Sequence, residues 1–212
     1  MLKRKEKNSK SQLIKIGSFL ILLGISVITI NSIINFINIQ NEKNLIKEYY
    51  ENEEYIVDVP VVEEIPQEEL VVEKNEEKKV EINYIAVIKI PKIGLEKGLA
   101  SKDSYYNNVN RNIQILSESD MPDVDKGNVI LAGHSGNSSV SYFKKLNKLK
   151  NNDEAIISYK GKDYVYRLVN SYEIEKNGYA HILRNAEKTT LTLITCKHNT
   201  NKQYVFIFEL IK

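Results

Sequence analysis

The pattern of apolar and polar residues divides the chain into a long uncharged run, a charged middle and a C-terminal part with many short apolar segments. Residues 16–41 carry no charge and are rich in Ile, Leu, Val and Phe. A helix needs about 20 mostly apolar residues to cross the roughly 30 Å hydrocarbon core of a bilayer. The run therefore predicts a transmembrane helix, which we assign to residues 13–40, with its most apolar part at Leu13–Asn35.

A basic segment precedes this run. Residues 1–12 hold a single acid and five bases, Lys3, Arg4, Lys5, Lys7 and Lys10. Because basic residues flank the cytoplasmic end of a membrane helix, we expect a cytoplasmic tail here, a single-pass anchor and an extracellular C-terminal part. A cleaved signal peptide has a similar start. However, the apolar run exceeds a typical signal-peptide core, and no small-x-small cleavage pattern follows, so an uncleaved anchor is favoured.

Residues 41–81 form the charged middle. They hold 14 acidic and five basic residues, Pro60 and Pro66, and no glycine. Such an excess of like charge favours an extended, disordered segment. We predict an acidic extracellular linker, with a partly helical stalk around Asn44–Glu54 as the alternative. Either form would hold a domain away from the membrane.

Short strands are predicted from residue 82 onward. Lys160-Gly161-Lys162 provides a turn between two of them, and the apolar residues of Ser141–Lys150 follow helical spacing. Many short strands with one or two short helices indicate a mainly β domain, a barrel or a sandwich, at residues 82–212. The predicted strands are Ile82–Ile90, Gly127–Gly133, Glu154–Tyr159, Asp163–Ile174, Thr189–Thr195 and Gln203–Ile211.

Composition limits the possible chemistry. The net charge of only +2 does not favour nucleic-acid binding. Cys196 is the single cysteine, so the chain cannot form an internal disulfide. In an exported protein an odd cysteine indicates either intermolecular pairing or a reactive thiol, while a buried, inert thiol is the alternative. Three histidines and one cysteine show no zinc-ligand spacing, and no metal site is predicted.

Two candidate catalytic residues follow predicted strands. His134 lies in the segment Leu131–Gly136 between two glycines, and Cys196 ends the segment Thr192–Cys196. A thiol is only slightly ionised at neutral pH and needs a basic partner, for which histidine is the usual side chain. His198 is a rival base, because residues i and i+2 of a strand share a face.

These two segments, together with the spacing between His134 and Cys196, closely resemble the sortase family. Sortases carry a G-H-x motif after a barrel strand and T-L-x-T-C about 60 residues later. The resemblance covers residues 82–212 and implies an eight-stranded sortase-type β-barrel. The short connection from Ile174 to Thr189 and the lack of an apolar C-terminal run place the chain nearer class A or class D than class B or the pilin-polymerising type.

The resemblance also implies a reaction. Cys196 would attack an LPxTG-like sorting signal of a surface protein and form a thioacyl-enzyme, and His134 would protonate the leaving amine. An amine acceptor, on a cell-wall precursor or a protein lysine, would then resolve the intermediate, without a metal or other cofactor. The implied location is the surface of a Gram-positive cell, with the chain anchored in its membrane.

The chain departs from the sortase pattern in one respect. Sortases usually have an arginine a few residues after the cysteine, whereas no arginine follows Arg184 here. Lys202 and Gln203 occupy the expected place. An amide can donate a hydrogen bond to an oxyanion, although a charge-assisted bond is about twice as strong. We assign that role to Gln203, with Lys202 or a backbone donor as alternatives.

The residues also allow functions other than a transpeptidase. The missing arginine would also suit a catalytically weak sortase-like module that binds surface peptides. A purely structural exported domain would bury Cys196 as an inert thiol. The segment Gly133–Asn137 resembles the G-x-S-x-G motif of serine hydrolases, but Asn137 replaces its last glycine.

Overall fold

The computed structural model describes residues 2–54 and 82–212, with side chains described from Lys15 to Asn52 and from Ile82 onward. Most of the predicted acidic linker, residues 55–81, lies outside the described residues. The chain divides into two compact units, one ending at Asn44 and the other running from Leu45 to Lys212.

The N-terminal unit is formed by the first part of one long helix. Helix α1 spans Leu2–Glu54, so it continues past the predicted end of the membrane helix at residue 40. Its section Lys15–Asn52 includes an 18-residue stretch with a mean hydropathy of 2.2, and it is long and apolar enough to cross a membrane. Side chains such as Phe19, Leu22 and Ile28 are more than half exposed. Apolar side chains without protein contacts are what a helix surrounded by lipid presents.

The C-terminal unit contains one eight-stranded sheet in the order β2-β1-β5-β6-β8-β7-β4-β3. All neighbouring strands are antiparallel except β4 and β7, which are parallel. The two edge strands β2 and β3 contact each other, which brings the sheet into a nearly closed barrel. The predicted mainly β, eight-stranded sortase-type barrel is therefore confirmed. The strands are β1 Tyr84–Ile90, β2 Leu95–Ala100, β3 Gln114–Ile115, β4 Asn128–Ala132, β5 Glu154–Tyr159, β6 Lys162–Glu175, β7 Thr190–Cys196 and β8 Lys202–Leu210.

The barrel interior is filled by one face of each strand. Side chains alternate between the two faces of a strand, so every second residue points inward. In β7 and β8 the inward pairs are Leu191 with Phe208 and Leu193 with Phe206, and all four side chains are buried in the core. Cys196 lies on the alternate face of β7, so its side chain points to the outside of the barrel.

Ser141–Lys150, predicted as a helix, forms turns and a short 3-10 helix, Leu146–Lys148. A second 3-10 helix, Pro91–Ile93, follows β1. Within Ser141–Lys150, the side chains of Phe143, Leu146 and Leu149 are buried in the core. Their spacing of three residues fits a 3-10 turn, in which i and i+3 lie on one side. The apolar spacing thus predicted which side chains are buried but not the type of helix.

The last turns of α1 pack on the outer face of β1 and β5. Ile46 and Tyr49 form a buried cluster with Tyr84 and Val87. The Tyr49 hydroxyl donates a hydrogen bond of 3.1 Å to the carbonyl oxygen of Ser158. The compact C-terminal unit therefore includes residues of α1 as well as the barrel.

Candidate active site

The parallel pairing of β4 and β7 brings the two candidate catalytic residues to the same edge of the sheet. Asn128 pairs with Thr190, and the ladder continues without a break to Ala132 and Ile194. In every pair of this ladder the two residues are the same number of positions apart in the sequence. His134 and Cys196 are that number of positions apart too. Both residues lie two positions beyond the last pair. Because residues i and i+2 share a face, both residues follow the outward-facing pair Ala132–Ile194 at the same edge of the sheet.

Hydrogen bonds beyond the ladder hold the two segments together. The Thr195 hydroxyl donates to the carbonyl oxygen of Gly133 at 2.7 Å. The Gly133 amide donates to the carbonyl oxygen of Ile194 at 3.2 Å. The Ser135 hydroxyl donates to the carbonyl oxygen of Cys196. These bonds flank His134 and Cys196 and restrict their relative movement.

Gly133 allows the segment carrying His134 to pack closely on the core. A Cβ atom at this position would lie 2.8 Å from Cδ2 of the Phe143 ring, closer than van der Waals contact permits. The Phe143 amide also donates a 2.9 Å hydrogen bond to the carbonyl oxygen of His134. A side chain at residue 133 would therefore displace either the Phe143 ring or the backbone that positions His134.

The register of β7 and β8 distinguishes Gln203 from Lys202. Cys196 pairs directly with Gln203. Directly opposed residues of antiparallel strands have Cβ atoms about 4.5–5.5 Å apart on the same face. Lys202 lies on the other face, and its ammonium group is 3.6 Å from a Glu173 oxygen and 4.0 Å from a Glu175 oxygen. Of the two candidates, Gln203 is therefore the one beside the thiol.

A second ion pair lies next to Cys196. The Lys197 ammonium group donates to a carboxylate oxygen of Glu173 at 2.5 Å. This hydrogen bond lowers the pKa of the Glu173 carboxyl below its usual value. In return, the hydrogen bond to Glu173 raises the pKa of Lys197. Both groups are therefore charged at neutral pH, and the Lys197 side chain is held by the carboxylate.

His134 contacts the loop that joins β2 to β3. Its Nε2 atom lies 3.1 Å from Oδ1 of Asn110. The side chains of His134 and Cys196 are half-buried, so both are accessible from the outside of the barrel.

The connection between β6 and β7 crosses the same outer face. Tyr172 pairs with Val205, which lies on the outer face two residues after Gln203. The Tyr172 hydroxyl donates to the carbonyl oxygen of His181 at 2.8 Å and accepts from the Leu183 amide at 2.7 Å. Burial is the main cause that raises the pKa of Tyr172. The β6–β7 connection therefore passes next to the ends of β7 and β8 that carry Cys196 and Gln203.

The other candidates have different surroundings. His198 lies in an exposed turn between β7 and β8, and His181 is exposed in the β6–β7 connection. Ser135, the residue that resembled a hydrolase nucleophile, uses its hydroxyl to bind the Cys196 carbonyl oxygen. Among the residues that the structure describes, no group of three or more His, Cys, Asp or Glu side chains could hold a metal ion.

The barrel matches a known protein family. The family model of the sortase domain matches residues 88–210. The chain belongs to the sortase family. No curated protein matches this sortase. Its family and fold support a cysteine transpeptidase, and Cys196 is the only cysteine that it contains.

Solved sortase structures share the barrel. A sortase D5 transpeptidase of Clostridium perfringens is 25% identical, with a TM-score of 0.53 over 64% of this chain and 84% of that chain. Sortase C1 of Streptococcus agalactiae is also 25% identical, with a TM-score of 0.53 over 61% and 68% of the two chains. A lid mutant of sortase A from Corynebacterium diphtheriae is 19% identical, with a TM-score of 0.56 over 64% and 74%.

The sequence predicts His134, Cys196 and Gln203 as site residues but does not indicate the residues that contact their segments. Asn110 lies in a loop rich in asparagine, and nothing in its local sequence indicates a contact with a histidine from another segment of the chain. Ser135 and Thr195 are direct neighbours of His134 and Cys196, so their positions offered a signal. Their hydrogen bonds depend on the β4–β7 register.

Proposed function

We propose that this sortase is a membrane-anchored transpeptidase in which Cys196 is the nucleophile and His134 the general acid and base. The observation that carries the proposal is the constant sequence offset of the β4–β7 ladder, which aligns the only thiol with a histidine. A thiolate and an imidazole at adjacent strand ends are the pair that nucleophilic acyl transfer needs.

In the first step the Cys196 thiolate attacks the carbonyl carbon of a sorting-signal peptide. The C–N bond of the resulting tetrahedral adduct breaks, and the His134 imidazolium donates its proton to the leaving amine. The product is a thioester between Cys196 and the new C-terminal acyl group. The thiol supplies the nucleophile and the imidazolium supplies the proton that this step requires.

In the second step an acceptor amine attacks the thioester carbon. The neutral imidazole of His134 takes a proton from this amine, the C–S bond breaks, and the thiolate returns. Gln203 is the proposed donor to the oxyanion in both steps, and its register position opposite Cys196 supports this role. No metal or other cofactor has a part in this sequence.

We infer the substrate and location from family membership and from helix α1. The peptide is an LPxTG-like sorting signal of a surface protein, and the acceptor is an amine of the cell wall or of another surface protein. Helix α1 is long and apolar enough to anchor the chain as a single-pass protein. With the basic residues 1–12 inside the cell, the barrel would lie outside it.

The test is a cleavage assay with the full-length chain in detergent micelles. Fluorogenic LPxTG-type peptides are offered with and without an added amine, and the wild type is compared with Cys196→Ala and His134→Ala. We expect cleavage that the amine accelerates and that either substitution reduces by at least about 100-fold, the lower end of the gain from general acid–base catalysis. A folded wild-type chain that binds these peptides without cleaving any would instead identify a peptide-binding module.

A further inference from the structure

Asn110 is the side chain that contacts the His134 ring. The separation between His134 Nε2 and Asn110 Oδ1 is 3.1 Å, within the range of an N–H···O hydrogen bond. An amide oxygen has lone pairs and no proton, so it can only accept. The contact is a hydrogen bond in the tautomer that carries its proton on Nε2, and in that tautomer Nδ1 is the nitrogen that can exchange protons with a substrate.

The loop that carries Asn110 is pinned on the side that precedes it. The Asn107 side chain bonds both backbone groups of Ile115, accepting from its amide at 2.7 Å and donating to its carbonyl oxygen at 2.9 Å. The backbone amide of Asn110 donates a hydrogen bond to Oδ1 of Asn108 at 2.9 Å. Ile115 belongs to β3, so this half of the loop is attached to the barrel.

The loop is also pinned on the side that follows Asn110. Asn112 is only 2% exposed, and its Nδ2 donates a 2.9 Å hydrogen bond to the carbonyl oxygen of Gly98 in β2. The backbone amide of Asn112 donates a hydrogen bond to the carbonyl oxygen of Asn108 at 2.8 Å. A loop bound to both edge strands holds the Asn110 amide group at a defined place relative to His134, as a preorganised site requires.

We propose that Asn110 is a positioning residue that fixes the orientation and the tautomer of His134. The proposal rests on the proposed function, because it gives the histidine of that reaction a defined proton-transfer atom. With Nε2–H bound to Asn110, the proton for the leaving amine comes from Nδ1, and the proton of the acceptor amine returns to Nδ1. The Nε2 proton stays in place throughout, so the ring has no need to turn between the two steps.

The Asn110 oxygen also determines which ring nitrogen of His134 carries the proton. A histidine in the wrong tautomer presents a nitrogen that cannot take up or give the required proton. Without the Asn110 oxygen, neutral His134 would distribute its proton between the two ring nitrogens. Only part of the molecules would then be ready for catalysis.

The first experiment reads the tautomer directly and does not depend on turnover. The full-length chain is labelled with ¹⁵N-histidine in detergent micelles, and the His134 signals are assigned with His134→Gln. At a pH where the ring is neutral we expect the Nε2–H tautomer in the wild type and a mixture of tautomers in Asn110→Ala. Arg111→Ala is the matched control from the same loop, because that side chain stacks on the Tyr105 ring at 3.6 Å. It should keep the wild-type tautomer.

The second experiment compares peptide substrates that have an amide or an ester at the cleaved bond. An alcohol leaves with less help from a proton than an amine does, so an ester depends less on a general acid. We expect Asn110→Ala to lower kcat for the amide by about 10-fold to 100-fold, part of the 10²–10⁴ that general acid–base catalysis supplies. KM should stay unchanged, and kcat for the ester should fall much less. Asn110→Asp, which keeps an acceptor oxygen, should restore most of the amide activity.

The outcomes separate this inference from the proposed function. A wild-type chain that cleaves peptides, with an Asn110→Ala variant of unchanged tautomer and kcat, would overturn the role of Asn110 alone. An equal loss of kcat for amide and ester would also overturn it, because a structural defect affects both substrates alike. If the wild type cleaves no peptide, the proposed function fails, while the tautomer comparison still decides whether Asn110 orients His134.

Discussion

Thr195 donates its side-chain hydroxyl to the carbonyl oxygen of Gly133 at 2.7 Å, and each residue immediately precedes one of the two proposed catalytic residues. Thr195 is only 4% exposed, so little water competes for this bond. The bond crosses between two strands that are far apart in sequence. It therefore links the position of Cys196 to the position of His134 more directly than the ladder that ends before them.

Replacing Thr195 by valine should weaken both stability and catalysis. The change keeps the shape of the side chain but leaves the buried Gly133 oxygen without its donor, which costs about 1–3 kcal/mol. We expect a lower Tm together with a lower kcat, measured by thermal unfolding and by peptide cleavage. Thr200→Val is the control, because Thr200 makes a similar bond of 3.0 Å to the Lys197 oxygen at an exposed site. Equal effects of the two substitutions would contradict the importance of the Thr195 bond.

Gly133→Ala should disturb the site through the Phe143 ring. The added Cβ would lie 2.8 Å from Cδ2 of the ring, and overpacking of this kind costs about 1–3 kcal/mol. Gly136→Ala is the control in the same segment, because its Cβ would lie 3.7 Å from the Ser141 oxygen, an ordinary contact. Thermal unfolding should show a loss for the first variant and little change for the second. The double variant with Phe143→Leu should recover part of the kcat lost in Gly133→Ala if the contact with the ring is the cause.

Gln203 and Lys202 offer a direct test of the register. Gln203→Ala should reduce kcat strongly, because removal of one oxyanion donor costs about 10²–10³ in rate. Lys202→Ala, a neighbour whose ammonium group faces Glu173 and Glu175, should leave kcat near that of the wild type. Gln203→Arg should match or exceed the wild type, since a charged donor binds an oxyanion more strongly. Near-normal turnover by Gln203→Ala would remove this residue from the mechanism.

The end of helix α1 should contribute to the stability of the barrel unit. Ile46 is 7% exposed in its cluster with Tyr84 and Val87. Ile46→Ala should therefore lower the free energy of unfolding by about 2–5 kcal/mol, as truncation of a buried aliphatic side chain does. Ile39→Ala on the same helix is the control, because Ile39 is 56% exposed. Unfolding of the barrel followed in detergent by near-UV circular dichroism compares the two, and equal Tm values would show that the helix end adds nothing.

The Glu173–Lys197 pair should make stability depend on pH in the acid range. Because the hydrogen bond to Lys197 lowers the pKa of Glu173, the stabilisation is complete above the usual glutamate pKa of 4.5 and is lost as the pH falls through the lowered value. Glu173→Gln should therefore have a slightly lower Tm than the wild type at pH 7. The two Tm values should converge in strong acid, where the wild-type carboxyl is also neutral. A constant difference at all pH values would mean that the charge of Glu173 is not its cause.

The local pattern of apolar and polar residues was sufficient to predict most strands of the barrel. The predicted strand Glu154–Tyr159 is β5 with the same bounds, and β1, β4, β6, β7 and β8 begin and end within a few residues of their predicted positions. These segments are long or rich in β-branched residues, so their own composition favours a strand. Strand β2, Leu95–Ala100, was missed because it contains Glu96, Lys97 and Gly98. Strand β3 has only two residues, too few to form a pattern.

For helix α1, local composition was sufficient to predict the first part, whereas the last part depends on packing. Its uncharged run was sufficient to predict a membrane helix, because a run of about 20 apolar residues has few alternatives. The helix continues through charged residues to Glu54, where like charge had favoured an extended linker. In the part of the chain that the structure describes, Ile46 and Tyr49 are buried against the barrel, and this packing supports helix where composition does not.

The sequence by itself determined the chemistry that is present: one thiol, a histidine between glycines, and no arginine after Arg184. It also determined how far apart the thiol and the histidine lie along the chain. Only the tertiary structure turned that separation into proximity, because a parallel ladder aligns residues that are distant in the chain and no local preference encodes its register. The register of β7 and β8 set Gln203 beside Cys196 and turned Lys202 away. The fold of the β2–β3 loop brought Asn110 to the His134 ring. Each of these contacts joins segments that meet only in the folded barrel.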